Sequence, residues 1–159
     1  MLHNPADQMI RDRLEPGHLS IDGFLGNDDR PIADIIAADT GEVEAAGYTV
    51  KQLGDFLEHL HVTGDGGWES RVPMYDGKIS VRSDETLGAI PCPFACGGHT
   101  HKAVITVKDA AGENLLIFTP LDAHLIEAHG FFEGKGSPYR IEPKELIALY
   151  ELCHGEEEA

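Results

Sequence analysis

The chain has 159 residues, of which 42% are hydrophobic and 25% are charged. This composition is typical of a globular protein that buries a core of its own, and it excludes wholesale disorder. Twelve Lys and Arg stand against 28 Asp and Glu, for a formal net charge of -16, which disfavours binding to nucleic-acid phosphates or to anionic lipid. We therefore expect neither a nucleic-acid nor a membrane partner.

The N-terminal stretch carries no pattern of a targeting or membrane-spanning segment. Asp7, Arg11, Asp12 and Arg13 interrupt it, so the apolar centre of a signal peptide is missing. No run in the sequence reaches the roughly 18 apolar residues that a spanning helix needs. Three cysteines are too few for a disulfide scaffold of this size. We expect a cytoplasmic protein whose cysteines bind metal, react or lie buried.

Changes in composition divide the chain into four parts. These are an N-terminal extension and linker (1–29), a helical hairpin (30–62), an α+β region with a Cys/His cluster (63–154) and an acidic tail (155–159). We expect them to form one compact domain. Within the extension, Pro5 to Leu14 has the pattern of a short helix.

The second part has the pattern of two consecutive helices. Asp29 fits the N-cap and Pro31 the first turn of a helix that ends at Gly47. Thr49 and Gln52 match a capping box that opens the next helix. Its apolar residues recur at i, i+3, i+4 and i+7, namely Leu53, Phe56, Leu57 and Leu60. The spacing predicts a helical hairpin that packs in the core or meets a protein partner or a second copy of the chain.

The pattern changes to strands after a glycine-rich joint at 63–67. Asp76-Gly77 predicts a hairpin between two short strands, of which the first lies at an edge because it contains Pro73. Alternation and a buried apolar run predict two more strands, at 101–109 and 114–119.

Two helices are predicted to follow the strands. Residues 121–129 form the first, which Gly130 ends in the left-handed conformation. Pro143 opens the second after a loop over 131–142. The order of elements predicts an α+β fold, with an N-terminal helical hairpin followed by a small antiparallel sheet and two C-terminal helices.

Four short runs of the sequence belong together as a pattern. They are Gly23-Phe24-Leu25-Gly26, Arg30-Pro31-Ile32-Ala33-Asp34-Ile35-Ile36, Pro91-Cys92-Pro93-Phe94 and His129-Gly130-Phe131-Phe132-Glu133-Gly134. Together they resemble a family of uncharacterised bacterial and archaeal cytosolic proteins, over about residues 22–150. The resemblance implies no activity, because none is assigned to such proteins.

The densest group of potential metal ligands lies in the stretch Cys-Pro-Phe-Ala-Cys-Gly-Gly-His-Thr-His. Cys92 and Cys96 flank a Pro- and Gly-rich turn close to the zinc knuckle Cys-Pro-x-Cys-Gly, with one extra residue between the sulfurs. Alternation along a strand would place His99 and His101 on one face. Two thiolates and two imidazoles suit zinc and disfavour magnesium or calcium. We therefore predict a zinc site at these four residues, with His124 as a substitute ligand.

Other histidines and loops have weaker patterns. His124 and His129 lie five apart, so on a regular helix their directions diverge by about 140° and we expect them not to share a metal. His59 and His61 lie two apart near a helix end, hence on different faces, and we expect structural roles for them. The loop 134–138 lacks the spacing of a phosphate-binding loop, and we interpret it as a lid or a packed surface loop.

Three functions remain open at this point. The first is a protein with a structural or sensing zinc site. The second is a metal-dependent hydrolase in which Glu127 or Glu133 acts as base beside an open coordination position. The third is a metal-free interaction or redox module with a reversible Cys92–Cys96 pair. The number of ligands separates the first two, because four protein ligands leave no position for water and three do.

Overall fold

The computed structural model describes residues 5–15 and 23–155. Within these ranges the chain has five helices and one four-stranded antiparallel sheet, which confirms the α+β prediction. The helices are α1 (Pro5–Leu14), α2 (Ile32–Ala45), α3 (Val50–Asp65), α4 (Pro120–His129) and α5 (Pro143–His154). The strands are β1 (Val72–Met74), β2 (Ile79–Pro91), β3 (His99–Asp109) and β4 (Asn114–Phe118).

Some predicted features lie outside the described residues. The acidic tail beyond Gly155 and part of the predicted linker, residues 16–22, are in this group. Among the residues that are described, no helix is both long and apolar enough to cross a bilayer.

The sheet is a meander in the order β1-β2-β3-β4, with each strand antiparallel to the next. Alternate residues point into the core because successive side chains of a strand face opposite sides. The inward residues of the sheet are Ile79, Val81, Ala103, Ile105, Val107, Leu116 and Phe118. They pack against apolar residues of α3, α4 and α5, so one face of the sheet is covered by helices.

Strands β2 and β3 are longer than the sequence patterns predict. The second short strand of the hairpin predicted at Asp76-Gly77 continues to Pro91, with an irregular register between Thr86 and Ala89. Side chains in this outer half are largely exposed, and Leu87 is 98% exposed. The paired strands therefore extend past the main core, and the loop 92–98 joins their ends.

The start of α3 follows the predicted cap, whereas its end and the start of α2 do not. The Thr49 hydroxyl accepts a hydrogen bond from the Gln52 amide at 3.1 Å, which confirms the N-cap. The predicted joint at 63–67 is wrong in its first residues, because α3 continues to Asp65. The predicted Asp29 cap is also wrong, since α2 has Pro31 at its N-cap position and no side-chain cap.

The two helices of the predicted hairpin pack mainly on other elements. Helix α3 packs against α4 and against the sheet, while α2 packs against α5. The approach of α3 to α4 is close at Gly54, where a Cβ atom would lie 2.4 Å from Cβ of Glu127. Leu53, Leu57 and Leu60 are fully buried in this arrangement. The apolar stripe of α3 is therefore used inside the chain.

A second apolar cluster joins α1, the segment 23–29, α4 and the loop that follows β2. Phe24 and Leu25 are buried in it, so this part of the predicted linker is packed rather than free. The Phe24 amide donates to the Leu14 carbonyl, and the Gly134 amide donates to the Phe24 carbonyl, both at 2.8 Å. The other buried members are Leu14, Ile32, Ile35, Cys92, Leu121, Leu125 and Phe131. Because Cys92 belongs to this cluster, the start of the loop 92–98 packs against α4.

Two ion pairs anchor the long loop between α4 and α5. The buried Arg140 guanidinium donates two hydrogen bonds to Asp39 of α2, at 2.8 and 3.0 Å. Asp28 accepts from the Arg30 guanidinium at 2.6 and 2.8 Å and from the Lys135 amide at 3.1 Å. The loop is thus fixed to the N-terminal half of the chain by charge-assisted hydrogen bonds.

Candidate metal centre

The loop 92–98 is closed by its own backbone. The Cys92 amide donates to the Gly98 carbonyl at 2.9 Å, and the Ala95 amide donates to the Cys92 carbonyl at 3.0 Å. Ala95 and Gly97 have φ values of 57° and 87°, which reverse the chain tightly. The backbone amides of Phe94 and Cys96 act to lower the pKa of the Cys92 thiol. Backbone amides beside a cysteine sulfur are a feature of zinc knuckles, so the loop retains this feature despite the extra residue between the cysteines.

Helix α4 presents two imidazoles to this loop. Its N-terminus is fixed by a capping box in which Thr119 and Asp122 satisfy each other's backbone amides, at 3.1 and 3.0 Å. Its C-terminus ends at Gly130 with φ of 64°. His124 lies in the middle of the helix and His129 is its last residue, with ring centroids 5.4 Å apart.

Four ligand atoms converge between the loop and α4. The Cys92 sulfur lies 3.4 Å from Nε2 of His129, and the Cys96 sulfur lies 3.3 Å from Nε2 of His124. All four ligand atoms lie within 4.8 Å of one another. With zinc bond lengths of about 2.3 Å to sulfur and about 2.05 Å to nitrogen, tetrahedral geometry places S and N about 3.6 Å apart. The donor set and its spacing therefore fit a tetrahedral zinc ion with small adjustments.

The protonation states of the group act in opposite directions on the capture of a cation. Burial raises the pKa of the Cys92 thiol to about 11, although the amides of Phe94 and Cys96 act in the opposite direction. Burial, and then the proximity of His124, lower the pKa of His129, which keeps its ring neutral and its lone pair available. A bound divalent cation would offset the burial cost by stabilising the thiolate.

Neighbouring residues fit closely around the group. Phe94 stacks on His129 with ring centroids 4.4 Å apart and an 11° angle between planes. A Cβ atom on Gly98 would lie 3.2 Å from the His124 ring and 3.4 Å from the Cys96 sulfur. The Arg13 guanidinium donates to the Pro93 carbonyl at 2.6 Å, which ties α1 to the loop. Cys92 is buried and Cys96 is exposed, so the group lies at the edge of the second apolar cluster.

The structure brings together only the cysteine half of the predicted ligand set. His101 points to α3, where its Nε2 lies 3.0 Å from Nε2 of His61, rather than back over the cysteine loop. His99 is exposed and lies outside both groups of described ligand residues, although it lines a hollow beside Cys92. His124, the predicted substitute, is in the group.

The expectation that His124 and His129 cannot share a site is wrong. Their Cα directions diverge, but both rings turn toward the loop, which lies against this end of α4. The prediction compared only the directions of the two residues around the helix axis. It did not include the length of the imidazole side chains, which lets both rings meet a loop that packs on the last turn of α4. Sequence reasoning therefore missed His129, and its stacking partner Phe94 gives no signal in the sequence.

A second group of potential ligands lies between α3 and the sheet, at His61, Asp65 and His101. Nδ1 of His61 lies 3.1 Å from the Glu58 carboxylate, and Nε2 of His101 lies 3.3 Å from that of Glu85. A hydrogen bond with Asp65 raises the pKa of Glu85. His61 stands four residues after Leu57, which is the spacing of the apolar stripe of α3. That spacing is a signal in the sequence that places His61 on the buried face of the helix.

The two glutamates proposed as catalytic bases are engaged elsewhere. Glu127 faces α3, where its carboxylate lies 3.4 Å from Nζ of Lys51. Glu133 is buried and accepts a hydrogen bond from the Ser137 hydroxyl at 2.5 Å. Burial, and then the charge of Asp122, raise the pKa of Glu133 well above its ordinary value. This contact also makes 134–138 a packed loop rather than a lid.

Comparisons with known proteins identified no relative of this chain. No protein-family model, no curated protein and no solved structure matches the chain. The resemblance to uncharacterised bacterial and archaeal proteins therefore stays a prediction.

Proposed function

We propose that the protein is a zinc-binding protein in which one ion, held by Cys92, Cys96, His124 and His129, fastens the β2–β3 loop to helix α4. The observation that carries the proposal is the convergence of two sulfurs and two imidazole nitrogens within 4.8 Å. Sulfur and imidazole are the ligands of structural zinc sites. The loop and the helix are about 30 residues apart in sequence, so the metal would join two distant segments.

The number of ligands supports a structural or sensing role over hydrolysis. Four protein ligands fill a tetrahedral shell and leave no position at which zinc could activate water. Glu127 and Glu133 are occupied by Lys51 and Ser137, so neither is free to serve as base at this centre. The exposure of Cys96 gives solvent a route to the ion, which suits a site that exchanges metal.

A thiol redox pair is the second candidate, and one observation favours it. The two sulfurs lie within 4.8 Å of each other, and Cys96 is exposed to oxidants. The two imidazoles beside them are better explained by a metal, because a disulfide has no use for nitrogen ligands. A cytoplasmic location stays a prediction, and it would keep these thiols reduced.

Cobalt titration of the full chain without an affinity tag tests the proposal. Cobalt(II) takes the place of zinc, and a thiolate-to-cobalt charge-transfer band in the near ultraviolet reports coordination by sulfur. We expect this band at one equivalent in the wild type. We expect its loss in Cys96→Ser, and its weakening and shift in His124→Ala and His129→Ala.

Two variants serve as controls. Cys153→Ser removes a buried cysteine of α5 and should leave the band unchanged. His99→Ala removes the imidazole that the sequence favoured, and it should also leave the band unchanged. A band that depends on His99 and not on His129 would refute the ligand set, and the absence of any band in the reduced wild type would refute the proposal.

A further inference from the structure

We infer that the protein has a second metal site, for a first-row divalent cation such as zinc, built from His61, Asp65 and His101. This site lies between α3 and β3 and uses none of the residues of the cysteine centre. It does not depend on the proposed function, because either site could be occupied without the other.

The two imidazoles are already arranged as a pair of ligands. Their Nε2 atoms lie 3.0 Å apart, with ring centroids 4.9 Å apart. Two nitrogens bound to one tetrahedral zinc ion lie about 3.3 Å apart, at bond lengths of about 2.05 Å. A carboxylate oxygen of Asp65 lies within 4.8 Å of both ligand atoms. Binding an ion between them would therefore need little movement of the rings, together with release of the proton that the two Nε2 atoms share at this distance.

The environment of His61 orients its lone pair toward this point. Its Nδ1 lies 3.1 Å from the Glu58 carboxylate, and a histidine that donates from Nδ1 keeps Nε2 as an acceptor. A carboxylate behind a ligating histidine is a recurrent feature of zinc sites, where it fixes the tautomer and raises the basicity of the ligand. His61 is 5% exposed, so its ring is held in place by packing.

The charges around the pair favour a cation. The carboxylates of Glu58, Asp65 and Glu85 surround the two imidazoles, and Glu85 lies 3.3 Å from Nε2 of His101. Glu85 is near enough to serve as a further ligand or as a partner of His101. Nitrogen and oxygen donors without sulfur suit zinc, nickel, cobalt or iron rather than copper(I).

This site has an open side. The His61–His101 pair lines a hollow of about 570 Å³, together with Glu58, His99 and Thr100. Three protein ligands would leave a coordination position facing this space, where water or an anion could bind.

Metal stoichiometry of the full chain, crossed with site variants, tests the inference. After equilibration with zinc and removal of free ion by dialysis, elemental analysis should find two equivalents in the wild type. His101→Ala and Asp65→Asn change exposed residues, and each should lower the content by one equivalent while the cobalt–thiolate band persists. Glu58→Gln should retain the second ion with an affinity reduced by roughly 10- to 100-fold.

The control and the converse variant separate the two sites. His59→Ala changes an exposed histidine of the same helix and should keep both ions. Cys96→Ser should lose the thiolate band and keep one equivalent that depends on His101. A wild type with a single, sulfur-bound ion, or a content unchanged by both His101→Ala and Asp65→Asn, would overturn the second site. A wild type that lacks the thiolate band but keeps an ion dependent on His101 would contradict only the cysteine centre.

Discussion

The close approach of α3 to α4 gives a prediction about packing that bears directly on the metal centre. A Cβ atom on Gly54 would lie 2.4 Å from Cβ of Glu127 and 2.6 Å from its backbone N and Cα. Ordinary contacts between such atoms are about 3.5–4.0 Å, so Gly54→Ala forces the helices apart by roughly 1 Å. Most of the atoms that it meets belong to the backbone, and rotation of a side chain cannot relieve the clash.

The expected magnitude follows from two opposing effects. Overpacking costs about 1–3 kcal/mol, whereas replacing a helical Gly by Ala contributes about 1 kcal/mol in favour of the helix. The clash is with backbone atoms at 2.6 Å, which places the overpacking cost near the upper end of this range, so we expect Gly54→Ala to lower the free energy of unfolding by roughly 2 kcal/mol, or the melting temperature by roughly 4–8 °C for a chain of this size. Because α4 carries His124 and His129, the variant should also bind zinc more weakly.

Gly41→Ala is the matched control for this prediction. Gly41 lies inside α2, is exposed and would have nothing within 4 Å of its Cβ atom. The same substitution should there stabilise the protein by about 0.5–1 kcal/mol. Urea unfolding of both variants, with zinc and with a chelator, is the assay. A Gly54→Ala protein as stable as the wild type would refute the argument that this glycine is required for packing.

Three further predictions concern stability. Thr119→Ala removes half of the capping box of α4 and should cost about 1 kcal/mol in urea unfolding; no loss would mean that the cap contributes nothing. Arg140→Ala leaves the buried Asp39 carboxylate unpaired and should cost about 3–5 kcal/mol, and restoration by the paired Asp39→Ala change would confirm the cause. The Arg30 guanidinium lowers the pKa of Asp28, so the stability that this pair provides is present at neutral pH and declines as the pH falls below about 4. Asp28→Asn should be less stable at pH 7 and should show a shallower decline in acid, and an unchanged acid profile would contradict that assignment.

Local signals predicted most of the helices and strands. The Thr49 cap, the Gly130 stop and the Asp76-Gly77 turn each act within a few residues, and all three lie where the sequence placed them. The outer half of β2 was not predicted, because its residues are exposed and irregular in register and carry no regular apolar alternation. The burial of Phe24 in a segment rich in glycine was missed for a similar reason, since its contacts come from residues distant in sequence.

The candidate site was half predictable. Cys92 and Cys96 share one loop, and the Pro- and Gly-rich turn between them is a local signal that the structure retains. The imidazoles that meet them depend on how α4 packs beside the sheet, which spacing along the chain cannot reveal. His101 lies on β3 and its ring points toward α3, where its partner is His61.

The central claim concerns which atoms surround the metal at the cysteine loop. The most direct measurement is a crystal structure of the zinc-loaded full chain with anomalous scattering recorded at the zinc edge. The account predicts a peak about 2.3 Å from the sulfurs of Cys92 and Cys96 and about 2.0–2.1 Å from Nε2 of His124 and His129. A peak bound by the two cysteines together with His99, or no zinc beside the cysteines at all, would contradict it.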